Sequence, residues 1–315
     1  MEHRPLGRSG LSTAPIVFGG NVFGWTADEA TSFALLDAFV AGGFNCIDTA
    51  DSYSRWVAGH AGGESETVIG KWLKRRGKRD DVLIATKVGS DMGQGICLKR
   101  DYILRSAEES LKRLQTDYID LYQEHFDDEV TPVEETMEAF ATLIRQGKVR
   151  AIGASNITPA RLTESLAASA KHGWPRYETL QPHYNLVERT GFERDYAPLC
   201  REHGLGVIPY WSLAAGFLTG KYRSEADLGK SPRGPRNAQK YLNDRGLRVL
   251  AALDKVASGA GATPAQVALA WLMAQPTITA PIASATSIAQ WQDLARAADL
   301  KLGEDAVRLL NEASA

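Results

Sequence analysis

The chain of 315 residues carries 36 Lys and Arg against 38 Asp and Glu, a formal net charge of −2, and 44% hydrophobic residues. This near-neutral balance argues against binding to nucleic acid or to an anionic membrane surface. No apolar stretch approaches the ~20 residues of a membrane helix, and the N-terminal MEHRPLGRSG lacks the apolar core of a signal peptide. Cys46, Cys97 and Cys200 are too few and too scattered for a disulfide framework or a cysteine metal site. We therefore predict a cytoplasmic protein.

Short apolar runs recur along the whole chain and are predicted to be strands. Continuous apolar runs of this length are typical of strands buried on both faces, as in a parallel sheet. In chain order they are 15–20, 44–48, 81–89, 118–125, 149–156, 178–185, 206–213 and 278–285.

Amphipathic patterns between these runs predict helices that pack one apolar face on the sheet. Pro132, Pro159 and Pro264 each follow a threonine, which is typical of a helix amino terminus. Eight strand–helix units fit a (β/α)8 TIM barrel or an open doubly wound sheet. The segment FGGNVFG at 18–24 does not supply the G-x-G-x-x-G of a dinucleotide-binding open sheet, which favours the barrel.

We expect a single barrel domain over residues 1–315 with two additions. Residues 1–14 are predicted to form a small hairpin that caps one end of the barrel. Residues 214–242 are predicted to form a long polar loop rich in glycine, proline and basic residues. Long loops in compact domains are usually functional.

Polar residues stand where the predicted strands end, and in barrel enzymes the chemistry lies at these carboxyl ends. Tyr53 follows the second strand by one short loop. Taken alone, each strand-end residue and Tyr53 has an ordinary structural explanation. A carboxylate can belong to a turn, and a tyrosine can be a packing residue. The strand-end residues are Asn21, Asp48, Lys87, His125, Ser155, Asn156, Gln181, Tyr210 and Ser284.

Four of these residues form a chemically coherent set, which favours a functional site. A free tyrosine has a pKa of about 10, too high for an efficient proton donor near neutrality. The Lys87 ammonium would favour the phenolate of Tyr53, and Asp48 would keep that ammonium charged. His125 would hold or relay a proton at a substrate oxygen. Proton donation to an oxygen while hydride reaches carbon is carbonyl reduction.

Six segments carry a resemblance to a known family: FNCIDTADSY, ATKVG, DLYQEHFDD, IGASN, QPHYN and LAAGFLTGKY. By these segments, in this order and over nearly the whole chain, the sequence resembles the aldo-keto reductase family. The resemblance implies a (β/α)8 barrel that binds NADP(H), with NAD(H) as a second option, at its mouth without a Rossmann fold. It also implies a catalytic tetrad of Asp48, Tyr53, Lys87 and His125.

The same resemblance implies a set of cofactor residues. Ser155, Asn156 and Gln181 would hold the nicotinamide carboxamide, and Tyr210 would stack under the ring. Backbone amides would line the pyrophosphate, since nests of N–H groups suit phosphates. The remaining implied cofactor residues are Trp211, Ser212, Leu213, Gly216, Leu218, Lys221, Ser284, Thr286 and Gln290.

The sequence departs from the family pattern at three places. Trp211-Ser212 replaces the usual Ser-Pro after Tyr210. The loop after Tyr53 is long, and its Trp56 and His60 either enter the substrate pocket or lie on the surface. The segment 281–294 lacks the usual basic residue near Ser284 and Thr286, and has Leu294 where an asparagine is common.

Two further expectations concern ligand preference. An apolar substrate pocket would be lined by Phe23, Trp25, Trp56, Phe126 and Tyr184. The neutral strand-eight segment predicts that both NAD and NADP are used. The long loop could restore a positive field through Arg223, Lys230, Arg233 and Arg236.

We expect a carbonyl reductase or alcohol dehydrogenase that acts on a small molecule, without a nucleic-acid or membrane partner. The alternative is a redox-sensing regulatory subunit of the same fold that binds the cofactor. A metal-dependent hydrolase is disfavoured because the six histidines show no H-x-H or H-x-x-x-H pairing.

Overall fold

The computed structural model describes residues 1–231 and 237–315. Strands β1 (Arg4–Pro5) and β2 (Ser12–Thr13) pair antiparallel, which confirms the predicted N-terminal hairpin. Each of the eight predicted apolar runs overlaps one strand of a second sheet. These strands are β3 (Val17–Gly19), β4 (Cys46–Asp48), β5 (Leu83–Val88), β6 (Ile119–Glu124), β7 (Val149–Ser155), β8 (Tyr177–Gln181), β9 (Gly206–Val207) and β10 (Ile282–Ala283).

The eight-stranded sheet is parallel throughout and closes on itself. Its strand order is β10-β3-β4-β5-β6-β7-β8-β9, so chain neighbours pair in space and the last strand meets the first. Between the two edge strands, the amide of Ile282 donates to the carbonyl of Pro209 at 3.0 Å. The amide of Thr279 donates to the carbonyl of Val207 at 2.8 Å. The architecture is therefore the predicted (β/α)8 barrel.

Helices surround the sheet and bury one side against it. Across the described residues, no helix is both long and apolar enough to cross a membrane. The α-helices are α1 (Glu29–Ala41), α2 (Glu64–Arg76), α3 (Arg100–Leu114), α4 (Val133–Arg145), α5 (Pro159–His172), α6 (Ala197–His203), α7 (Asp244–Ala260), α8 (Pro264–Met273), α9 (Ile288–Ala295) and α10 (Glu304–Ser314).

Two of the three predicted threonine–proline helix starts are confirmed. The hydroxyls of Thr158 and Thr263 cap α5 and α8, and proline occupies the first turn of each helix. The third prediction is wrong in detail. Pro132 is itself the residue before α4, and the Thr131 hydroxyl instead donates to Asp128 Oδ2 at 2.6 Å. The Thr131 hydroxyl therefore bonds to a nearby carboxylate and does not cap the helix.

Strand alternation stacks a polar layer on an apolar one inside the barrel. Cys46, Ala85 and Leu121 belong to one buried apolar cluster, which Leu6 and Leu11 of the hairpin loop also join. Side chains two residues further along each strand point to the same face. The residues two positions beyond Cys46, Ala85 and Leu121 are Asp48, Lys87 and Gln123.

The described part of the predicted long loop contains three short 3-10 turns. These turns are Ala214–Thr219, Glu225–Lys230 and Gln239–Tyr241. The first contains non-glycine residues with positive φ, namely Ala214 at 48° and Ala215 at 55°. Such backbone is costly and tends to occur at functional sites.

Candidate active site

Three predicted site residues meet at one ammonium group at the mouth of the barrel. Asp48 ends β4, Lys87 lies near the end of β5, and Tyr53 lies on the loop after β4. Lys87 Nζ donates to Asp48 Oδ2 at 2.7 Å, to the Thr49 carbonyl at 2.7 Å and to the Tyr53 hydroxyl at 2.8 Å. The three ammonium hydrogens therefore have three acceptors, and one of them is the Tyr53 oxygen.

The burial of Lys87 makes its charge depend on Asp48. Lys87 has no exposed surface, and Asp48 is 1% exposed. Burial lowers the pKa of Lys87, and the Asp48 carboxylate opposes that change. Tyr53 also donates to Asp48 Oδ2 at 3.2 Å, so the carboxylate contacts both other members of the group.

His125 lies beside Tyr53 directly after β6. Its backbone amide donates to the Val88 carbonyl at 2.7 Å, which ties it to β5. Its ring meets the Tyr53 ring edge-on at 6.0 Å and stacks on Phe126 at 4.8 Å. Desolvation, followed by the charge of Lys87, holds the pKa of His125 well below its usual range. The imidazole is therefore neutral near pH 7.

A cavity of about 1060 Å³ opens from this group, and Asp48, Tyr53 and His125 line it. It extends from the barrel mouth to the amino termini of α8 and α9, where Thr263 and Gln290 line it. Most of the predicted cofactor residues line the same cavity. These are Ser155, Asn156, Gln181, Tyr210, Trp211, Ser212, Leu213, Gly216, Lys221, Ser284, Thr286 and Gln290.

The expected carboxamide-binding residues form a connected set around Tyr210. The Asn156 side chain donates to the His125 carbonyl at 2.8 Å and accepts from the Tyr210 hydroxyl at 2.9 Å. The Tyr210 ring stacks on His183 with centroids 5.3 Å apart. Asn156 adopts a φ of 47°, in the left-handed region that asparagine tolerates better than most residues.

Four residues that the sequence analysis considered for this site do not line the cavity. Leu218 has no exposed surface and packs in the core between sheet and helices, so it does not line the cavity. Phe23 stacks on Phe18 at 5.3 Å, and Tyr184 packs against Phe192 at 4.6 Å, both inside the core. The side chain of His60 is not among the groups that line the cavity.

Trp25, Trp56 and Phe126 do line the cavity, as predicted. The ring of Trp56 lies 5.8 Å from that of Trp25 and 5.9 Å from that of Tyr53. Trp56 is 50% exposed, so it forms part of the rim of the cavity. The loop after Tyr53 therefore brings an aromatic side chain to the candidate site.

The basic residues of the long loop differ in how they are held. Arg223 donates through both terminal nitrogens to Asp254 on α7, at 2.8 Å each, which occupies its guanidinium. Lys230 lines the cavity and pairs with Asp227 at 2.7 Å. Arg233 and Arg236 lie outside the described residues.

Gln123 on β6 is a buried site residue that the sequence interpretation missed. Its Nε2 donates to Asp48 Oδ1 at 3.3 Å. Asp293 and Thr263 were missed at the far end of the cavity. The sequence contained one signal for Gln123. It is a polar residue two positions after an apolar residue that faces the inside of the barrel.

The sequence profile of the Aldo/keto reductase family matches residues 15–315. The chain belongs to this family. An oxidoreductase described as "Uncharacterized oxidoreductase YrpG" from Bacillus subtilis is 37% identical over 323 residues, covering 99% of this chain and 95% of that protein. "Aldo-keto reductase YhdN" from the same organism is 36% identical over 289 residues, covering 88% and 82%.

Another relative of this aldo-keto reductase carries a different description. A "Probable voltage-gated potassium channel subunit beta" from Arabidopsis thaliana is 32% identical over 308 residues, covering 95% of this chain and 92% of that protein. The family thus includes relatives described as oxidoreductases and relatives described as channel subunits.

Proposed function

We propose that this protein is an NAD(P)H-dependent oxidoreductase that reduces aldehydes or ketones to alcohols, or catalyses the reverse reaction. The observation that carries the proposal is the contact of the buried Lys87 ammonium with the Tyr53 hydroxyl at 2.8 Å. A positive charge at this distance stabilises the phenolate that forms when tyrosine gives up its proton. A packing tyrosine would not require a buried ammonium at its oxygen.

The donor set of the cavity fits a nicotinamide dinucleotide. Such a ligand is long, and the cavity extends from Tyr53 to the amino termini of α8 and α9. The amide groups of Asn156 and Gln181 suit a carboxamide, and Lys221 suits a phosphate. At Gly216 an added Cβ would lie 3.1 Å from Lys221 Nζ, so glycine leaves room for that side chain at the cavity wall. When bound, the reduced nicotinamide supplies the hydride.

Tyr53 is the proposed proton donor to the substrate oxygen. As hydride reaches the carbonyl carbon, the Tyr53 O–H gives its proton to the developing alkoxide and leaves a phenolate beside Lys87. The ion pair of Lys87 with Asp48 at 2.7 Å keeps the ammonium charged while the phenol changes charge. In the reverse direction, the phenolate accepts the proton of the alcohol.

His125 is the proposed group that orients the substrate oxygen. Nδ1 contacts the Ser52 hydroxyl at 3.4 Å, which leaves Nε2 for the substrate. If the Ser52 hydroxyl donates to Nδ1, Nε2 carries the hydrogen and donates to the carbonyl oxygen. The low pKa of His125 supports this neutral donor role over proton transfer by an imidazolium.

A panel of aliphatic and aryl aldehydes, ketones and alcohols tests the proposal, with turnover followed by nicotinamide absorbance. Each substrate is assayed with NADPH, NADH and the oxidised cofactors. We expect turnover of at least one carbonyl, and its loss in Tyr53→Phe. Turnover that survives this substitution would rule out Tyr53 as the proton donor.

A second candidate is a cofactor-binding, redox-sensing regulatory subunit. The similarity to proteins described as potassium channel subunits favours it, at 32% and 33% identity. The two candidates differ in one measurement. A regulatory subunit would bind NADPH tightly, as measured by fluorescence, yet turn over no substrate of the panel.

A further inference from the structure

Three buried side chains form a closed hydrogen-bonded triangle beneath the cavity. Gln123 Nε2 donates to Asp48 Oδ1 at 3.3 Å, and Gln181 Nε2 donates to the same oxygen at 2.8 Å. Gln181 Nε2 also donates to Gln123 Oε1 at 3.2 Å. Gln123 has no exposed surface, Asp48 is 1% exposed and Gln181 is 2% exposed. Water therefore does not compete for these contacts.

The carboxylate fixes which way both amides point. A carboxylate only accepts hydrogen bonds, so each glutamine must turn its nitrogen toward Asp48. Gln123 then presents its oxygen to Gln181. If Gln123 were reversed, its oxygen would face Asp48 Oδ1 and its nitrogen would face the nitrogen of Gln181. Both contacts would be repulsive in a buried site.

This arrangement uses both hydrogens of the Gln181 amide nitrogen. One hydrogen goes to Asp48 at 2.8 Å and the other to Gln123 at 3.2 Å. Because Gln181 also lines the cavity, its oxygen Oε1 is the part of the amide left to meet a ligand. An amide oxygen accepts from an N–H group and repels another oxygen.

We propose that Gln123 is a positioning residue that holds Gln181 with its acceptor toward the cavity, so that the site selects a pyridine ring bearing a carboxamide N–H. Gln123 touches neither the substrate nor the cofactor. It acts through Gln181 and through the second oxygen of Asp48, the oxygen not used by Lys87 and Tyr53. The proposal rests on the proposed function, because it takes the nicotinamide end of the cofactor to lie at Gln181.

The fold supplies the reason for a glutamine at this position. Gln123 is the counterpart on β6 of Lys87 on β5, and the two residues are registered directly opposite each other. Leu121, two residues earlier on the same face, belongs to the apolar layer. Gln123 therefore begins the polar layer on its strand, and its Nε2 reaches Asp48 Oδ1 at 3.3 Å.

The test compares cofactor binding by the wild-type protein with that by Gln123→Met. Methionine is unbranched and of similar length, but it offers neither donor nor acceptor of comparable strength. Dissociation constants are measured by fluorescence for NADP and for its 3-acetylpyridine analogue, in which a methyl group replaces the carboxamide nitrogen. Leu121→Met is the matched control, since it alters a buried side chain on the same strand and face.

We expect the wild-type protein and Leu121→Met to prefer the carboxamide cofactor over the acetyl analogue. In Gln123→Met this preference should fall by roughly threefold to tenfold, the usual value of one oriented hydrogen bond. A purely structural role would weaken both ligands equally and leave the ratio unchanged. An unchanged ratio in Gln123→Met, together with a reduced ratio in Gln181→Met, would overturn the proposal.

Gln123→Glu gives a second test that holds even where Gln123→Met does not fold. A protonated glutamate has one donor and one acceptor and reproduces both contacts, whereas an ionised glutamate repels Asp48. The preference for the carboxamide should therefore be near wild type at low pH and fall as pH rises. If the ratio of the two dissociation constants in Gln123→Glu did not change with pH, as in the wild-type protein, the proposal would be overturned. Absence of binding of either ligand to the wild-type protein would instead refute the proposed function.

Discussion

Lys87 Nζ lies 2.8 Å from the Tyr53 hydroxyl, although Lys87 has no exposed surface. A buried ammonium is unfavourable unless it is paired, and Asp48 at 2.7 Å is its ion-pair partner. The buried ammonium can serve catalysis only through its contact with the Tyr53 hydroxyl. Stability and activity should therefore respond differently to changes at these three residues.

Tyr53→Phe removes one oxygen and should leave the fold intact. We expect turnover to fall roughly 10²–10⁴-fold, the usual contribution of a positioned general acid. Steady-state kinetics with the best carbonyl of the panel and NADPH provide the measurement. Tyr118→Phe, at a residue that does not line the cavity, should keep wild-type turnover. Near-normal reduction by Tyr53→Phe would contradict the mechanism.

Lys87→Met should abolish turnover and also destabilise the protein. The substitution leaves the buried Asp48 carboxylate without its partner, which costs about 3–5 kcal/mol of unfolding free energy. Denaturant unfolding measures that loss. Lys71→Met breaks an exposed pair with Glu29, whose side chains are 51% and 49% exposed, and serves as the control. The control should change stability by only about 0–1 kcal/mol.

The double variant Lys87→Met, Asp48→Asn separates the two effects. Removing both charges should recover much of the lost stability while turnover stays absent. If Lys87→Met alone melted at the wild-type temperature, Asp48 would have to be solvated and the pairing would be wrong.

Asp51 should make stability fall as pH rises toward the alkaline range. Burial, with a smaller contribution from Glu66, raises the pKa of the Asp51 carboxyl to about 8. In the unfolded chain the same carboxyl has a pKa of about 3.9, so the unfolded state loses its proton first as pH rises. The stabilisation is complete below that value and is lost as pH rises through about 8.

Asp51→Asn should therefore flatten the decline of Tm between about pH 4 and pH 8. Part of the slope should remain, because burial also raises the pKa of Glu124 to about 8. Asp80→Asn, at an exposed position, is the control and should follow the wild-type slope. If the Tm of Asp51→Asn fell with pH as steeply as the Tm of the control, Asp51 would already be ionised in the folded protein.

Both NADH and NADPH should serve as cofactor. Preference for NADP usually depends on a basic residue at the 2′-phosphate, and Ser284, Thr286 and Ser287 are neutral. The absence of one charged hydrogen bond limits discrimination to roughly 10–100-fold. This discrimination is the ratio of kcat/KM for NADH and NADPH, measured with the same carbonyl substrate.

Arg223→Ala should not change this cofactor ratio, because Asp254 already holds the Arg223 guanidinium at 2.8 Å. A preference for NADPH well above ~100-fold would show that a basic residue grips the phosphate. Alanine substitutions at Arg233 and Arg236 would then be compared with Arg223→Ala to identify the basic residue that binds the phosphate.

Trp56→Ala should affect aromatic substrates selectively. Its ring lies 5.9 Å from that of Tyr53 and lines the cavity. Loss of an aromatic pair should raise KM for an aryl aldehyde roughly twofold to tenfold, with little effect on a short aliphatic aldehyde. Ile96→Ala, at another exposed apolar residue, is the control. Equal effects on both aldehydes would argue against a contact with the substrate ring.

The eight strands and the convergence of Asp48, Tyr53, Lys87 and His125 were predictable because they rest on local patterns. A buried parallel strand needs a continuous apolar run, and each of the eight runs overlaps a strand. Closure of the barrel then brings all carboxyl ends to one mouth. Asp48, Lys87 and His125 converge for that reason, although 39 residues separate the first pair.

The side chains that were assigned wrongly depend on packing between distant segments. Leu218 and Tyr184 lie in segments that were predicted to contact ligands, but both are buried in the core. Their apolar character fits either location, and only the neighbouring helices decide between them. Arg223 was one of four basic residues that could have supplied a positive field at the cofactor, but Asp254, 31 residues later, holds its guanidinium.

The sequence by itself determined the class of fold and the polar residues that meet at the barrel mouth, because strand periodicity and strand order follow from local composition. The tertiary structure alone decided how those residues are paired and charged. Gln123 joins Asp48 and Gln181 across distances of 75 and 58 residues along the chain. Hydrogen-bond direction and pKa depend on the groups that surround a side chain in three dimensions. For Lys87, His125 and Gln123, those groups come from different strands.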